Sequence, residues 1–311
     1  MAERDPVLVR CREAIGAGSK SFAHAARLFD PRTRDAAHLL YAWCRYCDDQ
    51  IDGQTLGHPG GGASPESGEA RLERLREQTR RALRGEPSVA PEFVALHRVM
   101  ALYGIPERYP FELLDGFAMD VAGRLYPELD DTLRYCYHVA GVVGVMMAHL
   151  MGARGQEALR RATDLGLALQ LTNIARDVVP DAAVGRVYLP CSWLEEEGVE
   201  PEAVAAPRHR AALARVTRRL LGEADRYYAS ADRGLVFLSW RSAWAIATAR
   251  AVYSEIGRIV EARGPAAWER RAVVTRSRQL ALAASALATA LGRRSTSAPE
   301  PELWSSRLSL D

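Results

Sequence analysis

Apolar residues recur at three- and four-residue steps through almost all of this 311-residue chain, and strand-like alternation is scarce. That period leaves one broad class of architecture, because such a stripe forms a single buried face only when the segment is helical. It predicts helices over 35–51, 69–84, 91–103, 111–125, 131–151, 157–178, 209–230, 242–263 and 272–291. Helix breakers fall between these runs. The most conspicuous, 53–68, holds Gly57, Pro59, Gly60, Gly61, Gly62 and Pro65, and is either a plain surface loop or the rim of a site. No linker divides the chain. The expectation is one all-α domain over 1–293 with its helices around a central cavity, followed by a loosely held Ser- and Pro-rich tail over 294–311.

Composition works by exclusion. A formal charge of +2, with the arginines spread along helices, offers no basic stripe to nucleic acid. Met1 to Pro6 carry acids and a proline where an export signal needs a basic start and an apolar stretch, so a cytoplasmic protein is expected. The longest apolar run, 139–150, includes His149 and is shorter than the roughly 20 residues that cross a bilayer. Five cysteines, an odd number, are expected as reduced thiols. Cys44 and Cys47 form a C-x-x-C with no second Cys or His pair at zinc-like spacing, which favours two thiols packed on a buried helix.

Two acidic clusters end apolar helical runs: Asp48-Asp49-Gln50-Ile51-Asp52 and Asp177-Val178-Val179-Pro180-Asp181. Each places aspartates four positions apart on one helical face, where like charges repel by roughly 0.2–0.5 kcal/mol. Tyr41 and Arg45 share the first face, and Gln170 and Asn173 the second. Carboxylate and amide oxygens suit a hard divalent cation, and magnesium takes one or two carboxylates and fills the remainder with water and phosphate oxygens. Facing rows of this kind would hold a diphosphate through bridging metals. Arg45, Arg176, Arg186 and Lys20 lie beside the acids and would supply direct cations. Pro180 removes a backbone donor and is expected to kink or end the second helix. The apolar run 139–148, which includes Gly141 and Gly144, lacks the strand context of a nucleotide loop. It fits close helix packing or the wall of an apolar tunnel.

Together these segments resemble the squalene and phytoene synthase family of head-to-head prenyl synthases, over roughly residues 11–292. The resemblance rests on Gly18 to Phe22, Tyr41 to Asp52, Gly116 to Asp120, Tyr135 to Gly144, Leu169 to Pro190 and Arg241 to Ala249. It implies the all-α isoprenoid-synthase fold, with two or three Mg2+ or Mn2+ ions bridging diphosphate and no nicotinamide. Asp48, Asp52, Asp177 and Asp181 would be the metal ligands, with Asn173 close by. Ser19, Ser21, Tyr41, Arg45, Arg176 and Tyr188 would contact diphosphate. Phe22, Tyr135, Gly144, Gln170 and Tyr253 would line the reaction chamber. The implied reaction condenses two geranylgeranyl diphosphates through a cyclopropyl diphosphate to phytoene. The alternative is squalene or dehydrosqualene from farnesyl diphosphate. A non-catalytic helical factor and a diphosphate hydrolase fit less well, since both acid rows are present and the inferred chamber is apolar. Prenyl diphosphates are thus the expected partners, with peripheral contact to the inner membrane face for delivery of an apolar product.

Overall fold

Asp30 opens the helix that carries the first acidic cluster: its carboxylate accepts the backbone N–H groups of Arg32 and Thr33, both at 3.1 Å, and Pro31 occupies the first turn. Gly53, at φ 65°, closes the same helix in the left-handed conformation that glycine adopts without strain. The computed structural model describes residues 5–18, 25–55, 58–59, 66–87, 90–292 and 302–310.

The described helices are α1 (Pro6–Gly18), α2 (Pro31–Asp52), α3 (Gly68–Leu83), α4 (Pro91–Tyr103), α5 (Arg108–Val121), α6 (Leu129–Cys136), α7 (Val142–Leu150), α8 (Gln156–Ala183), α9 (Cys191–Glu196), α10 (Arg210–Arg233), α11 (Trp240–Arg263) and α12 (Arg276–Gly292). Among the described residues the only strand pairing is Gln54–Thr55 with His58–Pro59, directly after the first acid row. Residues 56–57 and 60–65 of that breaker lie outside the described part. No described helix is long and apolar enough to cross a membrane.

Helix α8 is the axis of the molecule. Leu167, Ala168, Leu171 and Ala175 are at most 2% exposed, and α7, α10 and α11 pack around it. Its contact with the segment before it is set by two glycines. A Cβ at Gly144 would sit 2.4 Å from the Ala162 carbonyl oxygen, and one at Gly166 would sit 2.5 Å from that of Ala140, so the backbones touch.

Four expectations change. Helices α1 and α9 were not indicated by periodicity. The run expected as one helix over 131–151 is broken by a π-helical turn, Tyr137–Gly141, which advances the later residues on the helix surface. Helix α8 does not end at Pro180; it runs to Ala183, and the proline forfeits only the one hydrogen bond to the carbonyl four residues earlier. There the Asp181 carbonyl accepts from Val184 and Arg186 and turns the chain back. The tail is not loosely held over 302–310. Leu303 and Leu310 are buried, Tyr109 Oη donates to the Leu310 carbonyl at 2.8 Å, and the Ser305 hydroxyl donates to the buried carboxylate of Asp164. Apolar and hydrogen-bonding anchors decide that outcome rather than Ser content. Residues 293–301 are outside the described part.

Candidate active site

One face of α8 forms the spine of a cavity of about 1150 Å³, above the usual ~300–1,000 Å³ of a ligand pocket. Ala158, Ala162, Leu165, Leu169, Asn173 and Arg176 line it at three- and four-residue steps. Tyr41, Cys44, Arg45 and Asp48 of α2 also line it, with Val139, Val143 and Gly144 from the segment before α8 and Ala249 and Tyr253 from α11. Polar groups collect at the end where α2 and α8 finish, while the remainder is largely apolar. Gly144 therefore serves both readings of its segment: it permits helix contact and lines the chamber. Cys47 is fully buried and Cys44 borders the cavity, both as free thiols, with burial raising each pKa.

At the polar end each acid row is wired to arginine. Arg45 donates to Asp48 at 2.8 Å and to Asp49 at 2.6 Å. Arg176 binds Asp177 from the preceding position, and Arg271 reaches the same carboxylate at 2.9 Å from the segment after α11. Arg186 donates to Asp52 at 2.5 Å, across 134 residues, so the turn following the second row is tied to the end of the first. Tyr188 continues that turn. Its ring stacks on Tyr135 with centroids 4.6 Å apart, and both hydroxyls donate to Asp120, at 2.8 and 3.2 Å.

The two rows remain short of positive charge in spite of these arginines. Burial, opposed by Arg45 and reinforced by Asp52, Asp49 and Asp120, raises the Asp48 carboxyl from 3.8 to about 6. Burial and Asp177 raise Asp181 to about 7, against the pull of Arg186 and Arg176. Asp120 bears on both rows and is itself raised, burial outweighing its tyrosine hydrogen bonds. Asn173 donates Nδ2 to Gln170 Oε1 at 3.3 Å, which leaves Oδ1 buried without a hydrogen-bond partner among the described residues. Crowded carboxylates and an unpartnered amide oxygen fit a hard cation. Among the described residues no three acidic, His or Cys side chains form a ready cage.

Tyr41, Arg45, Asp48, Tyr135, Gly144, Gln170, Asn173, Arg176, Arg186, Tyr188 and Tyr253 all line the chamber. Asp52 and Asp177 stand just behind the wall, held by the lining residues Arg186, Arg176 and Arg271. Asp181 borders a small adjoining hollow with Arg186 and Tyr188. Ser19, Lys20, Ser21 and Phe22 lie outside the described residues. Two members of the site were not singled out from sequence. Asp120 is a lone acid without a partner at helical spacing, and Arg271 comes from an irregular segment where no periodicity points inward.

The model of the squalene/phytoene synthase family matches residues 15–278, most of the chain. The chain belongs to the squalene/phytoene synthase family. Among the curated members, a 15-cis-phytoene synthase of Pantoea ananas is 52% identical over 294 residues, covering 94% of this chain and 95% of that protein. A phytoene synthase of Pseudescherichia vulneris is 50% identical, covering 96% and 97%. A crystal structure of a dehydrosqualene synthase with bound ligand superposes with a TM-score of 0.80 at 27% identity, covering 92% of this chain and 96% of that one. The all-α fold around a cavity is thus the fold of the squalene/phytoene synthase family, and membership makes the chain a prenyltransferase.

Proposed function

We propose that this chain joins two geranylgeranyl diphosphates head to head, through a cyclopropyl diphosphate, to give phytoene and two diphosphates. The observation that carries the choice of substrate is the 52% identity to a 15-cis-phytoene synthase over nearly the whole chain.

The residues divide the work along the chamber. Arg45, Arg176, Arg186 and Arg271 gather at the end where diphosphate charge must be stabilised as the allylic carbon–oxygen bond breaks. Asp48, Asp52, Asp177 and Asp181, with Asn173 Oδ1, are the groups that would hold Mg2+ or Mn2+. Bound there, the ions would neutralise diphosphate as a leaving group. The stacked rings of Tyr135 and Tyr188 present π faces beside that end, suited to an allylic cation. The second substrate's double bond attacks the cation, and a proton lost from the joined carbons closes the cyclopropane. A second ionisation, rearrangement and proton loss then complete the hydrocarbon. No electrons are added, so no nicotinamide is required. Leu165, Leu169, Val139 and Val143 keep the walls apolar and shield the cations from water.

Peripheral contact with a membrane belongs to the same proposal. Phe237 and Leu280 line the cavity yet are 43% and 73% exposed, so the apolar interior reaches the surface there.

Incubating the purified chain with magnesium and geranylgeranyl or farnesyl diphosphate, then identifying the extracted hydrocarbon by mass spectrometry, tests the reading. Phytoene from the geranylgeranyl substrate is expected. The dehydrosqualene synthase fold match keeps farnesyl diphosphate as the alternative. Product from farnesyl diphosphate alone would overturn the substrate assignment.

A further inference from the structure

At the end of the chamber away from the acids, α8 places a charge that the reaction does not use. Arg161 lines the cavity fifteen residues before Arg176, about 22 Å along the helix. It is 6% exposed, and the lining residues Met147, Ala153, Ala158, Ala231 and Leu235 are buried as well.

The guanidinium is fixed from several sides. Nη1 donates to Ser230 Oγ of α10 at 2.5 Å and Nε to Glu157 at 2.8 Å. Ser230 in turn donates to the Asp164 carboxylate, whose other oxygen accepts from Ser305 of the docked C-terminal segment. The stem is pinned too, since a Cβ at Gly234 would lie 2.5 Å from Arg161 Cβ.

We propose that Arg161 is the floor of the chamber and sets the longest prenyl tail the site accepts, with the Asp164–Ser305 contact holding that floor in place. The inference rests on the reading of the cavity as a prenyl site. A tail one isoprene unit too long would have to push a buried guanidinium off its partners and leave charge unpaired in an apolar space. A tail of fitting length ends against Ala158 and Ala231 and meets no such barrier.

The test measures kcat/KM of the full chain with farnesyl, geranylgeranyl and geranylfarnesyl diphosphates. In Arg161→Met, which keeps length and removes charge, the ratio of geranylfarnesyl to geranylgeranyl should rise about tenfold or more, the scale of discrimination by steric fit in an apolar pocket. Ala158→Leu, which fills the same end, should shift preference toward farnesyl diphosphate by a similar factor. Ser305→Ala should loosen the length limit in the same direction as Arg161→Met, but less. An unchanged ratio in Arg161→Met overturns the proposal. Should that variant not fold, an unchanged ratio in Ala158→Leu overturns it. Wild-type protein that makes no hydrocarbon from any of the three sinks the functional reading instead, which separates the two failures.

Discussion

Asp48→Asn is expected to cut turnover roughly a hundred- to a thousand-fold, the scale of losing one preorganised electrostatic contact to developing charge. The same change is expected to raise the melting temperature of the metal-free protein near neutral pH. The cause is the crowding that lifts the Asp48 carboxyl to about 6 and Asp181 to about 7. A carboxyl whose folded pKa lies above its unfolded value contributes stability that is complete below about pH 3.8 and is lost as pH rises through the folded pKa. The wild type should therefore lose stability between about pH 4 and pH 7, and Asp48→Asn should lose less of it. Arg45 keeps Asp49 as a partner at 2.6 Å, so the substitution strands no cation. Melting curves of both proteins across that pH range, taken with chelator present, provide the check. A variant less stable than wild type at pH 7 would mean that Asp48 is structural rather than held in strain for function.

Gly144→Ala and Gly166→Ala are expected to damage the fold itself. In each case the added methyl would meet a backbone carbonyl, at 2.4 or 2.5 Å, and neither helix can yield without moving the other. Overpacking of this kind costs about 3 kcal/mol or more when no flexible side chain can relax, which lowers Tm by roughly 5–10 °C in a chain of this size. Gly144 also forms part of the chamber wall, so kcat should fall along with stability. At Gly222, where nothing lies within 4 Å of an added Cβ, alanine should leave Tm the same or raise it slightly. Calorimetry on the three variants decides the matter; equal melting temperatures would show that the helices separate at little cost.

Much of this arrangement was legible in the residues, and the exceptions have physical causes. The long helices announced themselves because a buried face must repeat with the helical period, as α8 does from Ala158 to Arg176. The acid rows were visible for the same reason: Asp48 with Asp52 and Asp177 with Asp181 share a face only on a helix. The π-helical turn at Tyr137–Gly141 was hidden, since one inserted residue shifts the phase without changing composition. Pro180 does not end α8: it forfeits one hydrogen bond near the C-terminus, and the three residues after it keep helical form. Asp120 and Arg271 depend on tertiary placement: two tyrosine hydroxyls from distant segments fix the first, and an irregular segment carries the second to Asp177. Over 302–310 the chain is anchored by Leu303, Leu310 and Ser305, contacts that carry no helical period and that a Ser-rich composition hides.

In the proposed reaction the two acid rows hold diphosphate at one end of a chamber whose length along α8 receives the prenyl tail. Crystals grown with Mn2+ and a non-hydrolysable geranylgeranyl thiodiphosphate would show this directly through the anomalous signal of manganese. Manganese is expected beside Asp48, Asp52, Asp177 and Asp181, diphosphate against Arg45, Arg176 and Arg186, and the hydrocarbon running past Leu169 and Leu165 toward Arg161. Manganese away from both rows, or a tail directed out of the chamber, would contradict it.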